Sequence, residues 1–177
     1  MNRSNAVLLL VSIIFMIVGM VLFQAFEASQ QSEPRPEISD STPLTSIPLT
    51  NLQGQEQLLG DWQQPIIIVN FWAPWCAPCR REVPALIEIQ SQFSEQVQIL
   101  GLALDGVENV QAFIDEHGMN YPSFLAGNRI SMYNAVFGNK SGSLPFTVFL
   151  DQQRKLKYQH HGELSYEELR EKIIEIR

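Results

Sequence analysis

The fold class this 177-residue sequence predicts is an α/β domain built around a central mixed β-sheet, and three observations carry that reading. Two runs, Pro65-Ile66-Ile67-Ile68-Val69-Asn70-Phe71-Trp72 and Val97-Gln98-Ile99-Leu100-Gly101-Leu102-Ala103-Leu104, are short and apolar almost throughout. They suit strands enclosed on both faces rather than amphipathic helices. Segments of helical periodicity follow each of them. A strand pair and a capped helix end the chain, so strands and helices alternate before a hairpin and a helix close the sheet.

The elements follow in order. Residues 47–59 contain the turn signal Asn51-Leu52-Gln53-Gly54-Gln55 and form a short hairpin leading into Gly60-Asp61-Trp62. After the first central strand, Ala85, Leu86, Ile89 and Phe93 recur at helical spacing, which places Cys76 at the strand-to-helix turn. Pro84 lies inside that helix and should bend it by removing a hydrogen bond. Beyond the second strand, Asp105 is placed to cap a helix over residues 107–117 that Gly118 stops. Residues 129–137 read as a shorter helix. Phe146-Thr147-Val148-Phe149-Leu150 and Lys155-Leu156-Lys157-Tyr158-Gln159-His160 pair through Asp151-Gln152-Gln153-Arg154. Ser165 with Glu168 is a capping box, and Leu169, Ile173, Ile174 and Ile176 are the apolar positions of the closing helix. No internal repeat is visible.

The N-terminal part has a different character. Residues 6–26 are twenty-one consecutive uncharged residues. At ~1.5 Å per residue they would span about 31 Å, against a hydrocarbon core of roughly 30 Å. A cleaved signal peptide would have a shorter apolar region ending in small residues. Here Leu22-Phe23-Gln24-Ala25-Phe26-Glu27-Ala28 sets a Phe near each candidate Ala, so the reading is an uncleaved anchor in the lipid bilayer over residues 1–26. Arg3 and the terminal amine face only Arg35 across it, a slight bias towards a cytoplasmic N-terminus. That orientation puts the cysteines in an oxidising compartment. Residues 27–45 are rich in Ser, Pro, Glu, Gln and Thr and read as a flexible linker reaching about 25 Å as a coil. Residues 46–177 form the folded domain, and their fifteen acidic against ten basic residues argue against a nucleic-acid partner.

The chemistry is concentrated in Phe71-Trp72-Ala73-Pro74-Trp75-Cys76-Ala77-Pro78-Cys79-Arg80, which holds the only two cysteines. At a helix start, unpaired N–H groups and the positive end of the dipole favour the Cys76 thiolate. A thiol of pKa ~8.5 is only about 3% ionised at pH 7, whereas one lowered to ~7 is about half ionised. Cys76 is therefore the attacking sulfur. Cys79 lies one turn further on the same face and can resolve a mixed disulfide. Pro78 has no N–H to lose in the first turn and stiffens the loop.

Other uses of the pair fit less well. A zinc site needs two more ligands, and His117, His160 and His161 supply no second pair at a suitable spacing. A purely structural disulfide gains little from closing so short a loop. A cysteine peroxidase of related fold would need a Thr or Ser hydroxyl and an Arg beside its reactive cysteine, and Arg80 and Arg81 are more simply a solvated pair. His160 and His161 are neighbours on a strand and point to opposite faces. With no glycine-rich phosphate loop and no ligand cluster, the sequence implies no metal and no cofactor beyond a redox-active Cys76–Cys79 disulfide.

These residues resemble the thioredoxin superfamily, and within it the membrane-anchored, extracytoplasmic branch of TlpA-like, ResA-like and cytochrome c maturation thioredoxins. The resemblance covers residues 47–177 and rests on Val69-Asn70-Phe71-Trp72-Ala73-Pro74-Trp75-Cys76-Ala77-Pro78-Cys79-Arg80-Arg81-Glu82-Val83-Pro84, supported by Gly142-Ser143-Leu144-Pro145-Phe146-Thr147. It implies a thioredoxin-like three-layer sandwich with the N-terminal hairpin as an extension. It also implies a cis proline at Pro145 opposite the cysteines, a Leu144 backbone that pairs with an extended substrate segment, and Trp75 as part of the contact surface. General thioredoxins carry a buried aspartate where Asn70 stands, and an amide cannot accept a proton from the resolving cysteine. The branch commonly places a glutamate in the active-site helix instead, and Glu82 matches it. Glu82 is also i+3 from Cys79, and burial would raise its pKa and let it relay a proton there.

The resulting expectation is a single-pass protein of the bacterial inner membrane with its catalytic domain on the periplasmic side. It would reduce protein disulfides, apocytochrome c among the candidates, and be reloaded by a membrane thiol reductase. A disulfide oxidase or isomerase, and a client-binding module of a cytochrome c maturation complex, are the competing readings.

Overall fold

The computed structural model describes residues 13, 15–21, 23–24 and 43–177. The first ten of these are helical and exposed, and most of the expected anchor and linker lies outside the described residues. Among the described residues no helix is long and apolar enough to cross a membrane.

From residue 43 the chain forms one seven-stranded mixed sheet in the order β2-β1-β5-β4-β3-β6-β7. A hairpin of β1 (Pro48–Asn51) and β2 (Glu56–Leu58) supplies one edge. The centre is β3 (Ile66–Trp72), parallel to β4 (Val97–Ala103), which is parallel in turn to β5 (Ser123–Leu125). On the other side β6 (Phe146–Leu150) runs antiparallel to β3 and carries the edge strand β7 (Leu156–His161). Every residue of β3, β4 and β6 is buried, as their unbroken apolar runs require.

The layers follow from alternation along β3. Ile66, Ile68 and Trp72 face a core formed with α1 (Ala77–Phe93), α2 (Val107–His117) and α4 (Tyr166–Ile176). Ile67, Val69 and Phe71 face the opposite core, which α3 (Ile130–Phe137) covers with Tyr133 and Phe137. This is the three-layer thioredoxin-like sandwich with an added hairpin.

Most boundaries fall where local chemistry puts them. Ser165 and Glu168 form the expected capping box, and α1 runs on through Pro84. Two details differ. Gly106, not Asp105, is the N-cap of α2; Asp105 Oδ1 instead accepts from the Gly106 N–H at 2.6 Å and from Asn109 Nδ2 at 2.8 Å. The three-residue β5 carries too little pattern to be read from sequence, yet it lies between β1 and β4 and joins the hairpin to the central sheet.

Candidate active site

Cys76 is the N-cap of α1, and its Sγ accepts the Cys79 N–H at 3.3 Å. The two sulfurs form a disulfide across a Cα–Cα distance of 5.3 Å. The helix start orients this pair: Cys76 stands where N–H groups lack helical partners, and Cys79 sits one turn inside. Both residues are buried, Cys79 at 1% exposed and Cys76 at 5%. Ahead of them Trp75 is exposed while Trp72 is buried against Phe113.

The buried face of α1 consists of Cys79, Glu82, Val83, Leu86, Ile89 and Gln90. A carboxyl group therefore occupies a position in an otherwise largely apolar stripe, 1% exposed. Both of its oxygens are bonded: Oε1 accepts the Leu164 N–H at 3.1 Å and Oε2 accepts from Asn70 Nδ2 at 3.1 Å. Burial disfavours the carboxylate and pushes Glu82 up to about 8; the bonds from Leu164 and Asn70 oppose that shift, and the nearby Glu163 charge adds to it. This carboxyl stands three residues, about one helical turn, from Cys79 on the buried face of α1.

Asn70 spends its second amide proton on Thr147 Oγ1 at 2.9 Å, its register partner across β3 and β6. The sequence singles out Cys76, Cys79 and Glu82 but carries no signal for Thr147 or the Leu164 N–H, which reach Asn70 and Glu82 only through tertiary contacts.

The Leu144–Pro145 peptide is cis and directly precedes β6. The Pro145 carbonyl accepts the Gly162 N–H at 2.9 Å, which ties the loop after β7 to this edge. Among the described residues no hydrogen bond engages the Leu144 backbone. The same loop carries Glu163, which pairs with Arg81 at 2.7 Å. Arg80 lies over the Phe113 ring, 5.7 Å from its centroid. No hydroxyl or guanidinium among the described residues hydrogen-bonds either cysteine. The His161 ring lies tilted against Phe146, whereas that of His160 stacks on Tyr158, so the two point apart. No cluster of potential metal ligands occurs among the described residues.

Comparison with known proteins places this geometry. Residues 38–159 match the AhpC/TSA family. The chain is 30% identical to the thiol-disulfide oxidoreductase ResA of Geobacillus thermodenitrificans over 73% of each chain. It is 26% identical to the ResA of Bacillus thuringiensis subsp. konkukian over 98% of each. Among solved structures, a thioredoxin-related protein from Neisseria meningitidis serogroup B superposes with a TM-score of 0.65 at 30% identity, covering 72% of this chain and 97% of that one. A helix-capping cysteine pair on a thioredoxin-like sheet, with these relatives, leads to one assignment: the chain belongs to the AhpC/TSA family as a thioredoxin-like thiol–disulfide oxidoreductase.

Proposed function

We propose that this oxidoreductase works as a membrane-tethered reductant of protein disulfides outside the cytoplasm, with the Cys76–Cys79 pair as its whole redox centre. The observation that carries the mechanism is the buried Glu82 carboxyl on the Cys79 face of α1. The Cys76 thiolate attacks a substrate disulfide, forms a mixed disulfide and expels one substrate sulfur. Glu82 takes the Cys79 thiol proton, and the Cys79 sulfur attacks Cys76 and releases the second substrate thiol. Two electrons pass from the dithiol to the substrate, whose two sulfurs leave as thiolates and take up the Cys79 proton from Glu82 and a second proton from solvent; the Cys76–Cys79 disulfide is left for a membrane thiol reductase to reduce.

Substrate would lie in extended form along Leu144 and Pro145, with Trp75 covering it. The free Leu144 backbone and the exposed Trp75 ring support this docking edge. Uncharged residues 6–26 support an anchor and residues 27–45 a tether. Apocytochrome c, whose haem-attachment cysteines need reducing, is the client class that the resemblance suggests.

Trapping tests the roles of the sulfurs. Cys79→Ser should accumulate a mixed disulfide through Cys76 that dithiothreitol releases, and Cys76→Ser should accumulate none. Equal trapping by both variants would contradict the assignment of attacking and resolving thiols.

A further inference from the structure

The loop between α3 and β6 ends at Ser143, the residue before the Leu144–Pro145 edge, and β7 holds it at both ends. At its start Gln159 Nε2 donates to the Phe137 carbonyl at 2.7 Å, and at its end Ser143 Oγ and His161 Nδ1 are hydrogen-bonded at 3.0 Å. Its centre is a buried amide. Asn139 is 1% exposed, although the four residues that follow it are all exposed. A carboxamide is costly to bury unless its groups are bonded, and here Nδ2 spends both protons, on Asn134 Oδ1 at 3.1 Å and on the Ser143 carbonyl at 3.2 Å. Its Oδ1 accepts from Ser141 Oγ at 3.3 Å.

The consequence falls on Ser143. Its carbonyl accepts from Asn139, its N–H donates to Ser141 Oγ at 3.4 Å, and its hydroxyl meets Ser141 Oγ at 2.9 Å as well as His161. On the other side Pro145 is buried, and its carbonyl accepts the Gly162 N–H. Leu144 thus stands between two tied residues, with no hydrogen bond to its own N–H or carbonyl among the described residues. A peptide that pairs with a backbone already fixed in place binds more tightly than one that must first order the loop. The cysteines and Glu82 take their hydrogen bonds from other residues, so the loop acts on docking and not on the chemistry.

We propose that Asn139 is a positioning residue for substrate docking: through Ser141 and the Ser143 carbonyl it presents the free Leu144 backbone to an extended peptide segment of the client. This role rests on the reading of Leu144 and Pro145 as the docking edge.

Single-turnover oxidation of the reduced full-length protein, read by acid quench and thiol alkylation, tests it with two oxidants. One is a peptide carrying an internal disulfide within extended flanks; the other is hydroxyethyl disulfide, which has no backbone to pair. Asn139→Ala should raise the half-saturating peptide concentration by about tenfold with the limiting rate unchanged, and should leave the rate with hydroxyethyl disulfide unchanged. Ser143→Ala, an exposed change that keeps the buried amide, should raise it by about threefold and decides the matter if Asn139→Ala does not fold. An unchanged half-saturating concentration in the loop variants would overturn the proposal. So would equal slowing with both oxidants, which would mark a general defect of the cysteine site. Trp75→Ala separates the two readings: a raised half-saturating concentration in that variant alone would overturn the role of Asn139 and keep the docking edge, and no change in any variant would overturn both.

Discussion

Glu82 stands in the buried stripe of α1 on one turn of helix with Cys79, and its two oxygens are held from β3 and from the loop after β7. Its pKa, raised from 4.5 to about 8, makes the folded state bind a proton more tightly than the unfolded chain. The stability this gives is fully present below pH 4.5 and is lost as pH rises through about 8, a loss on the order of a few kcal/mol. Glu82→Gln should therefore flatten the fall in unfolding free energy between those values, as read by urea titration across pH. It should also slow the resolving step at least tenfold, because an amide cannot take the Cys79 proton. An unchanged pH profile would mean that the carboxyl is not buried as described. At this scale the sequence was legible where chemistry and spacing coincide, as for Cys76, Cys79 and Glu82. Thr147 stands 77 residues from Asn70, and Leu164 stands 82 from Glu82. No local pattern signals such pairs.

Among the elements, α1 and the two central strands follow from their apolar runs and from the Cys76 cap, whereas β5 has three residues and takes its identity from β1 and β4 on either side. The connection between β6 and β7 holds a second tertiary device. Arg154 adopts φ 59° and is buried. Its guanidinium donates to the carbonyls of Gln64 at 3.2 Å, Asp151 at 3.1 Å and Trp62. An unremarkable turn sequence thus fastens the sheet edge to the segment that leads into β3. Arg154→Ala removes donors from several partly buried carbonyls and should lower stability by about 2–3 kcal/mol in denaturant unfolding. Arg154→Lys should recover little, since one ammonium cannot reproduce the planar fork. Loss below about 0.5 kcal/mol would show that water satisfies those carbonyls equally well.

Over the whole molecule, composition separates an uncharged N-terminal stretch from an acidic folded domain, and the sheet order then brings the cysteine helix, the Leu144–Pro145 edge and the loop carrying Glu163 and Leu164 to one end of the sheet. The alternation of elements made the sandwich legible; the pairing of β1 with β5 and the Asn70–Thr147 bond between β3 and β6 are consequences of closure that no segment encodes alone. If residues 6–26 anchor the chain, the full-length protein should remain with membranes after alkaline carbonate extraction, and removal of residues 1–45 should release it; full extraction of the intact chain would contradict the tether. The direction of electron flow is the central claim, and the reduction potential of the Cys76–Cys79 couple in the full-length protein tests it most directly. A value near or below about −250 mV is predicted for a reductant fed from the membrane, whereas one near about −120 mV would make the protein an oxidant and contradict the account.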